Sequence, residues 1–182
     1  NKSDVELLQN SKQVTYDSEY GDMPQPKLTG HTFIGWYTSA SGGEKVESTT
    51  MVQTAKSHSL YAHWTANSCP LSLKFTPNIT YIHYRPNAST AYSVVSSDSV
   101  VDIPYGSLWY AYADAKDGYS PSSTAINPTT GTMGTDGAEF APVAEAKTYK
   151  VTFRPNGGNS AASYAYVVYD SCYGELPSAE RI

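Results

Sequence analysis

Four histidines, His31, His58, His63 and His83, are the side chains of this 182-residue chain best suited to hold a metal or pass a proton. No two of them stand two or four residues apart, so no regular strand or helix face gathers a pair of ligands. His63 alternates with Leu60 and Trp64 and reads as a packed or surface histidine. The carboxylate pairs Asp98/Asp102 and Asp114/Asp117 have the chemistry for acid–base work or for calcium. No DxDxDG loop supports calcium, and turn carboxylates are ordinarily solvated. The GxSxG elbow, HExxH, the phosphate-cradling GxxxxGK[ST] and GxGxxG are all absent. Cys69 and Cys172 show no CxxC spacing. They are candidates to pair with each other or with another chain, with free thiols as the alternative. The reading is a chain that is not an enzyme and takes neither cofactor nor metal.

Aromatic residues offer a different chemistry. In Trp109-Tyr110-Ala111-Tyr112 the period of a strand puts Tyr110 and Tyr112 on one face and Trp109 on the other. Exposed, Trp109, Tyr110 and Tyr112 would be a platform for stacking on sugar rings. Packed, one face is core and the tyrosines keep their hydroxyls wet at its edge. Packing is the leading expectation and glycan stacking the rival.

Composition narrows the classes further. Twelve basic and 17 acidic residues leave a net charge of −5, with no basic stripe for nucleic acid. A hydrophobic content of 40% separates the chain from disordered acidic segments. No apolar run approaches the ~20 residues of a membrane-spanning helix. Asn1-Lys2-Ser3-Asp4 has neither Met nor an apolar signal region, so the sequence reads as a processed product or a fragment.

The elements that would position these groups are strands. Serine and threonine number 41, with 16 Tyr, 13 Gly and 11 Pro, a strand-and-turn composition. Val5-Glu6-Leu7-Leu8 is the one stretch that fits a turn of helix. Strands are predicted within Thr32–Tyr37 and Leu60–Trp64, and at Thr80–Tyr84, Ser99–Ile103, Ser107–Ala113 and Lys147–Phe153. Strict alternation pairs Phe33 with Tyr37 on one face, Ile34 with Trp36 on the other, and Leu60 with Trp64. Asn127–Gly137 reads as a long loop along a sheet edge. The sequons Asn78-Ile79-Thr80 and Asn87-Ala88-Ser89 are common by chance.

An internal repeat organises the whole chain. Val14-Thr15-Tyr16-Asp17-Ser18-Glu19-Tyr20-Gly21-Asp22-Met23-Pro24 returns as Val167-Val168-Tyr169-Asp170-Ser171-Cys172-Tyr173-Gly174-Glu175-Leu176-Pro177. Seven of eleven positions are identical at a constant offset of 153. The offset maps Asn1 onto Arg154, directly after the predicted strand Val151-Thr152-Phe153, and Ile182 onto Thr29. One copy lacks its opening strand and the other lacks its closing half.

Residues 14–64 resemble the Listeria–Bacteroides repeat, the B-repeat module of internalin-like bacterial surface proteins. The resemblance rests on Val14-Thr15-Tyr16, Tyr20-Gly21, Pro24, Leu28 through Tyr37, Ser41-Gly42-Gly43 and Leu60-Tyr61-Ala62-His63-Trp64. The family's opening Val-Thr-Phe strand and Asn-Gly-Gly turn stand instead at Val151–Phe153 and Asn156–Gly158. The resemblance implies a small β-grasp-like module with a core of Phe33, Trp36, Tyr61 and Trp64, in a family of tandem extracellular repeats used for spacing and adhesion. Residues 68–148 look like another module of such architectures, of Ig-like type by strand count.

The expected fold is mostly β: a repeat module lacking its first strand at 1–66, an Ig-like β-sandwich at 67–148, and the incomplete start of a second repeat copy at 149–182. The expected function is a non-enzymatic extracellular spacer or adhesive stalk at the cell surface. Val151, Thr152 and Phe153 are candidate strand donors to the front module of another copy, a route to a filament. Expected partners are neighbouring repeats or identical subunits, and a host or environmental glycan or protein. Nucleic acid and a membrane span are not expected. The alternative is a carbohydrate-binding module of a secreted protein.

Overall fold

A computed structural model describes residues 5–6, 10–126, 128–160 and 163–180. It is nearly all β, as the composition predicts. The first 66 residues form a five-stranded antiparallel sheet: β1 (Val5–Glu6), β2 (Lys27–Leu28), β3 (His31–Tyr37), β4 (Lys45–Val46) and β5 (Tyr61–Ala66). The central strand β3 pairs with β2, β4 and β5.

Next come β6 (Ser68–Leu73), β7 (Ile79–Arg85), β8 (Ser93–Val95), β9 (Ser99–Pro104), β10 (Leu108–Ala115), β11 (Tyr119–Pro121), the short α1 (Ser123–Ile126), β12 (Thr129–Thr132), β13 (Ala138–Phe140) and β14 (Ala144–Ala146). They form sheets in the orders β12-β10-β7-β8, β13-β6-β9 and β11-β14. The last segment holds β15 (Thr148–Thr152), β16 (Asn159–Ser160), β17 (Tyr164–Val168) and β18 (Ala179–Glu180), paired as β15-β17 and β16-β18.

Two compact units result. One comprises 1–70, 102–107 and 132–138; the other 71–101, 108–131 and 139–182. In the second unit the period-two rule sets the interior. Trp109, Ala111 and Ala113 are buried on one face of β10, and Ile79 and Ile82 on β7. Leu71 and Leu73 of β6 and Phe140 of β13 are buried in this unit as well. In the first unit, Tyr20, Val46 and Val52 form a buried cluster against which Val14, Met23, Trp36 and Leu60 pack.

Three local expectations need correction. Val5-Glu6 is a strand rather than a turn of helix, because Lys27-Leu28 offers it a ladder; Leu7 and Leu8 fall outside the described residues. Within 127–137, β12 takes up residues 129–132 of the predicted loop. The third correction concerns faces. A register shift between Phe33 and Gly35 puts a β-bulge in β3, and Gly35 sits at φ +150°. One extra residue reverses the alternation beyond it. Phe33 and Trp36 therefore share a face, with ring centroids 5.6 Å apart, instead of opposite faces. Tyr37 goes to the other side, where it stacks on His63 at 3.9 Å.

Candidate functional site

The front sheet places its aromatics by that bulge. Phe33 faces Trp64 across the β3–β5 ladder, with centroids 5.3 Å apart, so Phe33 bridges Trp36 and Trp64. The Trp36 indole N–H donates to Pro24 O at 2.9 Å, which ties the loop after the Tyr20 segment to the sheet. Phe33, Trp36 and Trp64 are all half-buried. Tyr61 departs from the expected core: it is 43% exposed. The reason is parity, since Leu60, Ala62 and Trp64 point inward and Tyr61 and His63 must point out. Phe33 and Trp64 also line an open cleft of about 490 Å³ with Leu28 and His31.

The segment that repeats is held by backbone bonds. Asp17 N–H donates to Val52 O, Tyr20 N–H to Thr50 O and Val52 N–H to Ser18 O, at 2.9, 2.9 and 2.8 Å. Glu19 and Met51 are thereby cross-strand partners. The Tyr20 hydroxyl meets His58 Nε2, and its ring lies edge-on to the imidazole.

The same backbone reappears 153 residues on. Glu6 pairs with Lys27 in β1–β2, and Asn159 pairs with Glu180 in β16–β18, the same register at the same offset. Asp17 and Asp170 both take positive φ, 59° and 60°, as do Gly21 and Gly174 at 63° and 73°. Ser18 N–H donates to Thr15 O, and Ser171 N–H to Val168 O, closing the same turn. The environments differ. Tyr20 is 9% exposed, whereas its counterpart Tyr173 is 62% exposed, and Leu176, the counterpart of Met23, is also 62% exposed. Trp36, Val46, Val52 and Leu60 cover the Tyr20 segment. The opposite end differs as well. β17 is a strand because β15 pairs with it from Thr148↔Val168 to Thr152↔Tyr164. The corresponding residues 11–15 are not in a strand. Of the candidate donors, Val151 and Thr152 lie in β15, and Phe153 N–H donates to Ser163 O just after it.

The aromatic platform does not form. Trp109 is buried at 6% exposure, with its ring against Gly131. Tyr110 and Tyr112 are half-buried and already engaged. The Arg85 guanidinium lies over the rings of Tyr92 and Tyr110 at 4.5 and 4.7 Å. His83 stacks on Tyr112 at 4.3 Å, and its Nε2 lies 2.7 Å from Asp114 Oδ2. These cross-strand pairs of β7 and β10 occupy the faces that a sugar would need.

The Asp98 carboxylate is engaged by neighbouring groups, and the candidate cysteine pairing is not made. Asp98 accepts from Phe75 N–H at 2.7 Å and from Lys74 Nζ at 3.4 Å, and the amide bond holds its carboxyl below the usual range. Partial burial, then donation to Asp170, pushes the Tyr119 hydroxyl above its ordinary value. Among the described residues no three His, Cys, Asp or Glu side chains converge as metal ligands. Cys69 is a buried free thiol on β6 and Cys172 an exposed one, so the candidate disulfide between them is not made.

Comparison with known proteins agrees with the front sheet. Residues 1–63 match the model of the Listeria-Bacteroides repeat domain. Over 67 residues the chain is 34% identical to Internalin H of Listeria monocytogenes, a match that covers 37% of this chain and 12% of that protein. No solved structure matches at comparable significance. No helix among the described residues is long and apolar enough to cross a membrane. Residues 1–63 of this chain are therefore similar to the Listeria-Bacteroides repeat domain, a likeness that covers the front sheet.

Proposed function

We propose that this chain is a non-enzymatic segment of an extracellular bacterial surface protein, acting as a spacer or adhesive stalk. In this reading a Listeria-Bacteroides repeat at 1–66, an Ig-like sandwich at 67–148 and the start of a second repeat copy at 149–182 follow one another along the stalk. The observation that carries it is the recurrence of one backbone, with the same ladder register and turn, 153 residues apart. Repetition of self-contained β modules sets reach without any reactive centre. The similarity to an internalin supports a location at the cell surface. Antibodies raised against the chain should label intact, unpermeabilised source cells, and protease shaving should remove the label. Label confined to permeabilised cells would reject this reading.

A second reading, end-to-end assembly, draws on the ladder that β15 makes with β17, a pairing that one strand can offer to another chain. In this reading Val151, Thr152 and Phe153 supply a strand to the front module of another copy, adding chains head to tail. Its partners are identical subunits, with a host or environmental glycan or protein as the stalk's target.

A further inference from the structure

The fold treats the two sequons differently. Asn87-Ala88-Ser89 lies in the loop of residues 86–92 between β7 and β8, and all three of its residues are exposed. The Asn87 Oδ1 accepts from Ser89 N–H at 2.9 Å and from Thr90 N–H at 3.0 Å, so the loop turns around that carboxamide. The Arg85 guanidinium braces the turn, donating to Ala88 O at 2.8 Å while it rests on the rings of Tyr92 and Tyr110. Asn87 Nδ2 and the Ser89 hydroxyl make no hydrogen bond to the described residues. In Asn78-Ile79-Thr80 the carboxamide is committed instead. Asn78 is half-buried at φ +69°, with its side chain bonded to the Tyr119 hydroxyl. Ile79 is 7% exposed and Thr80 half-buried, both inside β7. We propose that Asn87, and not Asn78, is an acceptor for N-linked glycosylation from a glycosyl diphosphate donor.

The step is a substitution at the anomeric carbon of the sugar. A C–N bond forms between that carbon and Asn87 Nδ2, the C–O bond to the diphosphate breaks, and the diphosphate leaves with the electron pair. One Nδ2 proton passes to a base of the transferase. An amide nitrogen is a poor nucleophile because its lone pair is delocalised into the carbonyl. As the proton departs, negative charge gathers on Oδ1, where the Ser89 and Thr90 N–H groups already point. Hydrogen bonds to the charged form favour it, so the turn presents the carboxamide ready to react. The free Ser89 hydroxyl, third in the motif, is left for the transferase to bond. At Asn78 a sugar would have to displace Tyr119 and enter beside the buried Ile79. The inference goes beyond the spacer reading and adds hydrated bulk to the 86–92 loop.

The test is peptide mass mapping of the protein recovered from its source cells, with electron-transfer fragmentation to localise any added mass. The peptide spanning residues 86–92 should carry a hexose-containing increment on Asn87, and Asn78 in the same digest should be bare. A single hexose identifies a nucleotide-linked donor and a larger preassembled block a lipid-linked one; either supports the assignment. Ser89→Ala should lower occupancy of Asn87 by roughly tenfold or more, because a transferase that bonds the hydroxyl rejects an acceptor without it. That variant keeps both N–H bonds of the turn, so its thermal unfolding should be unchanged. Ser89→Thr should restore the modification. Asn87 recovered only in its unmodified form would overturn the proposal. An increment that persists in S89A would overturn it too, as the mark of a non-enzymatic adduct. Equal occupancy of Asn78 and Asn87 would overturn the selection by the fold.

Discussion

Tyr20→Ala is expected to destabilise the front module by about 3–4 kcal/mol, while Tyr173→Ala changes stability by less than about 0.5 kcal/mol in dilute solution. The two tyrosines hold the same place in one repeated segment, so side-chain chemistry is constant in the comparison. What differs is surroundings. Tyr20 is packed among Val46, Val52, Met23 and Trp36 and reaches His58 with its hydroxyl. Its removal leaves a cavity beneath the sheet and an imidazole without its partner. Tyr173 stands 62% exposed, so its ring gives up little burial when truncated. Denaturant unfolding of the two variants, followed by amide exchange in β3 and β5, reads the difference. Equal losses would mean that the two segments are equally covered and would contradict the burial contrast between Tyr20 and Tyr173.

Gly137→Ala is expected to cost about 2–5 kcal/mol, by adding the strain of a left-handed alanine to a backbone collision. Gly137 sits at φ +79°, and a Cβ there would lie 2.3 Å from Pro70 O. A carbonyl oxygen can only yield if β6 shifts, and β6 carries the fully buried Leu71 and Leu73. Gly42→Ala is the control. It has a similar φ of +66° but nothing within 4 Å, so only the conformational strain remains, about 1–2 kcal/mol. Thermal unfolding of both variants separates the two contributions. A Gly137→Ala protein no less stable than Gly42→Ala would place the 134–137 turn away from β6.

Much of this fold was legible because period-two patterning and turn chemistry are local. Strands around Thr80–Tyr84, Ser99–Ile103 and Lys147–Phe153 appear within a residue or two of their predicted limits. The exchange of faces in β3 was not legible, since a bulge depends on the partner strand and Gly35 alone does not announce it. That bulge is why Phe33 and Trp36 meet. Tyr61 fails as a core residue for a simpler reason: with Trp64 inside, a residue three positions away must point out. The duplicated β1–β2 ladder was also hidden. Glu6 and Lys27 share no residue type with Asn159 and Glu180 at the matching positions, and main-chain pairing requires none. Likewise the engagement of Arg85 with Tyr92 and Tyr110 depends on strands brought together from distant parts of the sequence. Sequence periodicity separated Trp109 from the tyrosines and could not reveal what covered each face.

One module backbone occurs twice within these residues, and in its first occurrence side chains of residues 28–66 cover the Tyr20 segment. A chimera tests this most directly: residues 1–180 followed at once by residues 28–66 of the same chain, in the register set by the 153-residue offset. The quantity to measure is hydrogen exchange at the Tyr173 amide, whose counterpart Tyr20 N–H is bonded to Thr50 O. Slowing of Tyr173 exchange to the rate of Tyr20 in the same molecule is the predicted result. Exchange as fast as in the 182-residue chain, with the appended residues unfolded, would contradict it.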